Sequence, residues 1–234
     1  MKKYIIGLLT IIMCFTLVGC INTKTTKGNK DFGEYTGIYE LGKVKFKLAQ
    51  YKNTVLITIT KNNELYGNTS LIIENNKIKD IDYDFELEKN QIKIKSKNKD
   101  VQSGTYKRID SYSTKEIYKD YIGDISLLDK NSGIYKKDNN TLYIIQSNEN
   151  TLRIANYTEE ESTNIELNKE SNNHFTTDFF EDKYDVKINK ETLELKLESE
   201  SKKGEILTGT YKKESKINAT DAIKIFVFDD YIKE

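Results

Sequence analysis

The chain has 234 residues, 37% apolar and 32% charged, and its 37 basic side chains balance 37 acidic ones, which removes any electrostatic drive toward nucleic acid or anionic lipid. Both cysteines, Cys14 and Cys20, fall within the first twenty residues, so beyond them a disulfide framework, a Cys-ligated metal and thiol catalysis are excluded. The 16 Tyr, 9 Phe and complete lack of Pro point to aromatic-rich strands that no proline interrupts.

The first stretch reads as an address. Lys2 and Lys3 precede an apolar run from Tyr4 to Val18, about fifteen residues and too short for a typical membrane-spanning helix. The run ends in Leu17-Val18-Gly19-Cys20, and this order of charge, apolar run, small residue and Cys resembles the lipobox of bacterial lipoproteins. The resemblance implies a signal peptide over 1–19, cleavage before Cys20 and acylation of Cys20, so that the lipid bilayer becomes a partner through that residue. Two or three acyl chains anchor stably where one does not. Loss of Lys2 and Lys3 leaves 35 basic against 37 acidic residues, a net of −2. Residues 20–33 are polar apart from Ile21 and Phe32 and read as a flexible tether.

From Gly37 the period becomes two. Val44, Phe46 and Leu48 alternate with lysines, Val55 to Thr60 is dense in β-branched residues, and Ile81, Tyr83, Phe85 and Leu87 alternate with acids from Asp80 to Glu88. Ile92 and Ile94 continue the pattern. One-sided strands of this kind belong to antiparallel sheets with one wet face. The connectors Lys61-Asn62-Asn63, Glu74-Asn75-Asn76 and Lys89-Asn90 suit hairpins. After the strands, Ser113-Thr114-Lys115-Glu116 is a capping box, with Ile117 and Tyr121 four apart and Gly123 as a stop.

This plan is bracketed, and the bracket occurs twice. Thr36-Gly37-Ile38-Tyr39 opens and Gly104-Thr105-Tyr106-Lys107 closes the first copy; Ser132-Gly133-Ile134-Tyr135 opens and Gly209-Thr210-Tyr211-Lys212 closes the second. Inside the second copy, strands are expected around Leu142–Ile145, Leu152–Ile154, Ile165–Leu167, Tyr184–Ile188 and Leu193–Leu197, with turns at Asn139-Asn140 and Asn148-Glu149-Asn150. The opening glycines are 96 residues apart and the closing ones 105 apart. The nine-residue excess is expected in longer loops around 157–183. Asn218 caps a C-terminal helix at the offset of the first capping box, with Ala222, Ile223, Phe226, Val227 and Tyr231 on one face; Ile225 to Phe228 would equally suit a strand.

A Gly-x-Tyr opening, six to eight short strands and a closing Gly-Thr-Tyr-Lys before a helix resemble the lipocalin-like small β-barrel domains of bacterial lipoproteins. The resemblance rests on Gly37, Tyr39, Gly104, Tyr106, Gly133, Tyr135, Gly209 and Tyr211 and implies that first and last strands pair to close a barrel beside a helix. The expected fold class is therefore all-β, mainly antiparallel: two tandem lipocalin-like barrel or sandwich domains over 34–125 and 130–234, each followed by a short α-helix. Each copy is shorter than a full lipocalin, so side chains are expected to fill the interior.

Chemistry-bearing motifs are sparse. His174 is the sole histidine and reads as a loop residue without partners for a triad or metal site. Asp80, Asp82 and Asp84 alternate as a strand and lack the glycine turn of a calcium loop; Glu159-Glu160-Glu161 and Glu181-Asp182 read as solvated acidic loops. No nucleophile elbow, P-loop or dinucleotide fingerprint appears, so no catalytic residue, cofactor or metal site is assigned, and Cys20 is the one assigned site. Tyr39, Tyr106, Tyr135 and Tyr211 recur at bracket positions and read as core residues with hydroxyls at the rim. Tyr51, Tyr66, Tyr112, Tyr118 and Tyr157 are the candidates for partner contacts.

These features lead to a membrane-anchored surface lipoprotein acting as a non-enzymatic binding or interaction module, at the outer face of a cell membrane. Its Lys-, Asn- and Ile-rich composition resembles proteins of AT-rich Gram-positive bacteria. The partner is a protein or small molecule rather than nucleic acid. The alternatives are capture of a small apolar ligand inside a barrel, and a cell-wall-acting hydrolase or an inhibitor of one. A hollow apolar interior would favour ligand capture, a filled interior with an exposed aromatic patch a protein partner, and clustered carboxylates in a cleft an enzyme.

Overall fold

The computed structural model describes residues 29–157, 162–199 and 206–230. Leu17-Val18-Gly19-Cys20, expected as a lipobox, Glu159-Glu160-Glu161 and Tyr231 lie outside them, as does the side chain of Tyr157. The protein is nearly all antiparallel β. In the first half the strands are β1 (Gly37–Leu41), β2 (Val44–Tyr51), β3 (Thr54–Lys61), β4 (Glu64–Ile72), β5 (Lys77–Lys79), β6 (Tyr83–Glu88), β7 (Gln91–Ser96) and β8 (Gly104–Asp110), followed by helix α1 (Thr114–Tyr121) and a 3₁₀ turn (Ile125–Leu127). The second half repeats them as β9 (Gly133–Lys137), β10 (Asn140–Asn148), β11 (Thr151–Tyr157), β12 (Ser162–Ser171), β13 (His174–Phe179), β14 (Asp182–Asn189), β15 (Thr192–Glu198) and β16 (Gly209–Ser215), ending in helix α2 (Ala219–Phe228).

Each bracket closes on itself as its sequence implies. β1 pairs with β8 and β9 with β16, so the opening and closing strands of each copy are neighbours. The second half is a closed eight-stranded barrel. The first is an eight-stranded sheet of the same order, curled but left open between β4 and β5. Asparagine turns set several of the hairpins. Asn62 and Asn63 have φ of 55° and 67°, Asn75 and Asn76 of 49° and 60°; paired left-handed residues of this kind match the twist of the flanking strands, and Asn tolerates that region.

Alternation fills each interior. In the first half Tyr39, Phe46, Leu48, Ile57, Ile92 and Tyr106 are fully buried in one cluster, with Phe46 meeting Tyr83, Phe85 and Tyr106 edge-on at 6.1, 5.7 and 5.0 Å between centroids. In the second, Tyr135, Leu142, Ile144, Leu152, Leu167, Val186, Leu193 and Tyr211 do the same.

A third apolar cluster joins the halves. α1 contributes Ile117 and Tyr118, α2 contributes Ala222, Ile223, Ile225 and Phe226, and the outer faces of β2, β3, β10 and β11 supply Ala49, Leu56, Tyr143, Ile145 and Ala155. Both helices form where expected. Ser113 and Glu116 make a reciprocal capping box, and Asn218 Oδ1 accepts the Asp221 amide at 2.9 Å. After α1, Gly123 takes φ +145° where a Cβ would sit 2.1 Å from the carbonyl oxygen of Ser147, so the stop is also where the chain presses on the second barrel. Ile225, which the one-face reading omits, is buried because α2 is wedged among neighbours on more than one side.

Several expectations are corrected. The 157–183 region is not loop: β12 and β13 occupy most of it. Equivalent residues are offset by 96 at Tyr39 and Tyr135, by 101 at Ile92 and Leu193, and by 105 at Gly104 and Gly209. Five of the nine extra residues thus lie before β15 and four between β15 and β16. The strand expected from Asp80 starts at Tyr83, and Ile81 is 84% exposed in a bend. The packed chain also begins ahead of Gly33: Phe32 is buried in the third cluster and Asn29 Nδ2 donates to the Tyr112 carbonyl at 3.0 Å.

Candidate interaction surfaces

The bracket residues form one device made four times. Tyr39, Tyr106, Tyr135 and Tyr211 are fully buried, and each hydroxyl donates to the backbone carbonyl four residues upstream: Tyr35, Gln102, Asn131 and Leu207, at 3.0, 2.7, 3.3 and 2.8 Å. Burial pushes all four phenols up to about 12. The opening glycine has a matching reason. Residue Gly+4 of the closing strand, Arg108 or Lys213, lies across it to reach the opening Tyr ring at 5.9 or 5.7 Å. A Cβ on Gly37 would meet Arg108 Nε at 2.4 Å, and one on Gly133 would meet Lys213 Cε at 2.5 Å. The bracket is a lock for the barrel seam and presents nothing to a partner.

A second repeated pair went unread in the sequence. Gln50 and Gln146 each lie thirteen residues after their opening glycine. Their amides donate to Thr36 Oγ1 and Ser132 Oγ at 2.9 and 3.0 Å, and their side-chain amides donate to the carbonyls of Lys52 and Asn148, both at 3.1 Å. The equal offset was the available signal.

The tyrosines expected to meet a partner divide. Tyr112 and Tyr118 are fully buried in the third cluster, Tyr112 beneath Lys47 with its hydroxyl on Asp120 Oδ2 at 2.8 Å. Tyr51 is half-buried, donates to Asp230 Oδ2 at 2.5 Å and carries Lys224 at 5.2 Å from its ring, so it ties α2 to the first half. Among the four whose side chains are described, Tyr66 alone is exposed. His174 opens β13 instead of lying in a loop, with Nε2 3.0 Å from Asp185 Oδ1. Asp84 lies on β6 while Asp80 and Asp82 are in the preceding bend. Glu181 is an exposed turn residue and Asp182 starts β14. Among the described residues no group of three or more His, Cys, Asp or Glu could hold a metal ion.

Of the eight large apolar side chains exposed among the described residues, all but Ile72 and Ile109 lie at corresponding ends of the two copies. The antiparallel order places the β1–β2, β3–β4, β5–β6 and β7–β8 turns at the end of the first sheet opposite α1; Tyr66 Oη meets Asn98 and Lys61 meets Asp100 there. At this far end lie Leu65, Tyr66 and Ile81. The corresponding end of the second barrel carries Phe179, Phe180 and Ile206. Ile81 and Phe180, at 84% and 93% exposure, occupy the same turn of their respective copies. The rings of Phe179 and Phe180 stand edge to face at 4.7 Å. Phe180 has φ +56°, a region unfavourable for a bulky residue and one that holds its ring out from the turn.

The other exposed feature is the opening in the first sheet. Ser70, Leu71, Ile72, Glu74, Asn75, Lys77 and Lys79 line a groove of about 670 Å³ there.

No protein-family model matches the sequence, and no curated protein does. Among solved structures, a DNA polymerase sliding clamp from Pseudomonas aeruginosa aligns at 6% identity and a TM-score of 0.17, over 82% of this chain and 60% of that one. The DNA polymerase III beta subunit from Thermotoga maritima aligns at 11% identity and 0.19, over 87% and 61%. The chain thus spans about three fifths of the clamps' length, and at these TM-scores the chains do not superpose as one fold.

Proposed function

We propose that the protein is a non-enzymatic interaction module, a surface lipoprotein held at the outer face of a bacterial membrane by acylated Cys20, that engages a protein partner through the far-end turns of its two barrels. The observation that carries this reading is the recurrence of a large, solvent-exposed apolar residue at the same turn of both copies, Ile81 and Phe180, above interiors already occupied by side chains. Buried tyrosines and phenylalanines leave little reason for a small apolar ligand to enter, whereas an exposed aromatic pair fits a pocket on another protein. Asp178, Glu181 and Asp182 around the Phe179–Phe180 tip against a single Lys183 favour a partner with a basic rim over an anionic bilayer.

The test has two arms on the full chain expressed in a Gram-positive host. Cys20→Ala should move the protein from the membrane fraction to the medium; unchanged retention would sink the anchor. Cross-linking on intact cells should give a discrete protein adduct that Ile81→Ser/Phe179→Ser/Phe180→Ser abolishes. An adduct of unchanged yield, or a lipid or small apolar molecule co-purifying with the protein instead, would refute partner capture by the turns.

A further inference from the structure

The two copies differ most at one place. In the second, β12 and β13 pair through Asn168↔Thr176, Lys169↔Phe175 and Ser171↔His174 and complete the barrel. In the first, the equivalent β4 and β5 are joined by the single bridge Glu74↔Lys77 and then part. Ile73 N–H bonds to the Asn53 carbonyl and Asp80 N–H to the Tyr83 carbonyl. Antiparallel strands alternate the direction of their backbone groups, so those of Asn68, Ser70 and Ile72 on β4, and of Lys79 on β5, point into the opening. Among the described residues none of them has a hydrogen-bond partner there. Free amides and carbonyls of three β4 residues, facing those of Lys79 on β5, make an edge that an extended polypeptide laid between the strands can extend.

Side chains set the pattern such a strand must have. On the inner face the opening is floored by Leu71 and Ile73, packed against the first core, and by Ile78, 1% exposed. On the outer face stand the exposed Lys77 and Lys79, neither in an ion pair among the described residues. Their cross-strand neighbours Glu86 and Asp84 also face Lys93 and Lys95, and Glu88 pairs with Lys93 at 2.7 Å, so three carboxylates serve four ammonium groups, with Glu74 at the closed end the sole acid in the groove. We infer that the β4–β5 opening is a strand-addition site for an extended peptide whose alternate residues are apolar, facing in, and acidic, facing Lys77 and Lys79. The site is separate from the far-end turns and stands or falls independently of them.

The experiment is backbone amide exchange followed by mass spectrometry on the full chain in detergent. The probes are a blocked Thr-Val-Glu-Val-Glu-Val-Thr peptide and its counterpart with Lys for Glu. Alone, segments 68–72 and 77–79 should exchange much faster than the equivalent β12 and β13. Saturating acidic peptide should slow them at least tenfold, with no such effect from the basic one. Lys77→Glu/Lys79→Glu should reverse that preference, with unchanged exchange in the second barrel reporting that the variant is folded. Equal protection by both peptides, or by neither, would overturn the proposal. So would protection in the free protein that rises with its concentration, which would mean that a second copy fills the edge and that the lysines serve only to guard it.

Discussion

Phe226→Ala separates a protein of two self-sufficient barrels from one whose halves are joined through a common core. Phe226 is 5% exposed and lies in neither barrel interior; it belongs to the cluster that α2 builds with α1, Ala49, Leu56, Tyr143 and Ile145. Truncating a buried Phe removes its transfer free energy and leaves a cavity, about 3–5 kcal/mol together. In a folded unit of this size 1 kcal/mol moves Tm by about 2–4 °C, so a fall of about 10 °C is expected. Far-ultraviolet circular dichroism and tyrosine emission should fall in one transition, displaced as a whole, since the cluster takes residues from β2 and β3 as well as β10 and β11. A fall under about 2 °C, or a split in which half the β signal keeps the unmodified midpoint, would refute the joined core.

Removing any one bracket hydroxyl, as in Tyr39→Phe or Tyr211→Phe, leaves a backbone carbonyl without its donor and should cost about 1 kcal/mol in urea unfolding. Gly123→Ala places a methyl against the Ser147 carbonyl in a backbone region that penalises it, and should destabilise by more than about 1 kcal/mol, read from the same unfolding curves. Alkali should unfold the protein in a defined window. Burial holds the phenols of Tyr39, Tyr106, Tyr118, Tyr121, Tyr135 and Tyr211 at about 12 against an ordinary 10. The native state therefore keeps protons that the unfolded chain has released, and stability is intact below pH 10 and falls between pH 10 and 12. Tyrosinate absorbance should rise late and together with loss of structure; smooth titration near pH 10 in the folded protein would contradict the burial.

Much of this fold could be read from the chain. The bracket named the seam strands, alternation named the inward residues of β2, β6 and β7, and a capping box placed α1 to the residue. β12 shows in the sequence only at Ile165–Leu167 and β13 not at all, because Ser162–Ser171 and His174–Phe179 are mostly Thr, Asn and charged residues, with too few apolar positions to show a period of two over their length. Ile81 was misplaced because its alternation is continuous with Tyr83 and Phe85; nothing local says that the chain bends before Tyr83. The burial of Tyr112 and Tyr118 is not legible in the sequence because it depends on residues distant along the chain, Lys47 over the Tyr112 ring among them, which no window of sequence around them contains. The far-end turns were the least legible, since a lone Ile or a Phe pair in a turn carries no period, and only the register of sixteen strands shows that Ile81 and Phe180 correspond.

The third cluster also bears on the order of folding. Phe32, close to the first described residue, and Phe228, at the end of α2, lie 6.2 Å apart between ring centroids, and Lys52 pairs with Asp230 at 2.5 Å. The segment ahead of β1 is therefore packed against α2. A nascent first half can curl its sheet, but Phe32, Ala49, Leu56 and Tyr118 keep a wet face until α2 arrives. Domains emerging from synthesis ordinarily fold as they appear; here α2 acts as the latch, so the shared core waits until both barrels and α2 have been made.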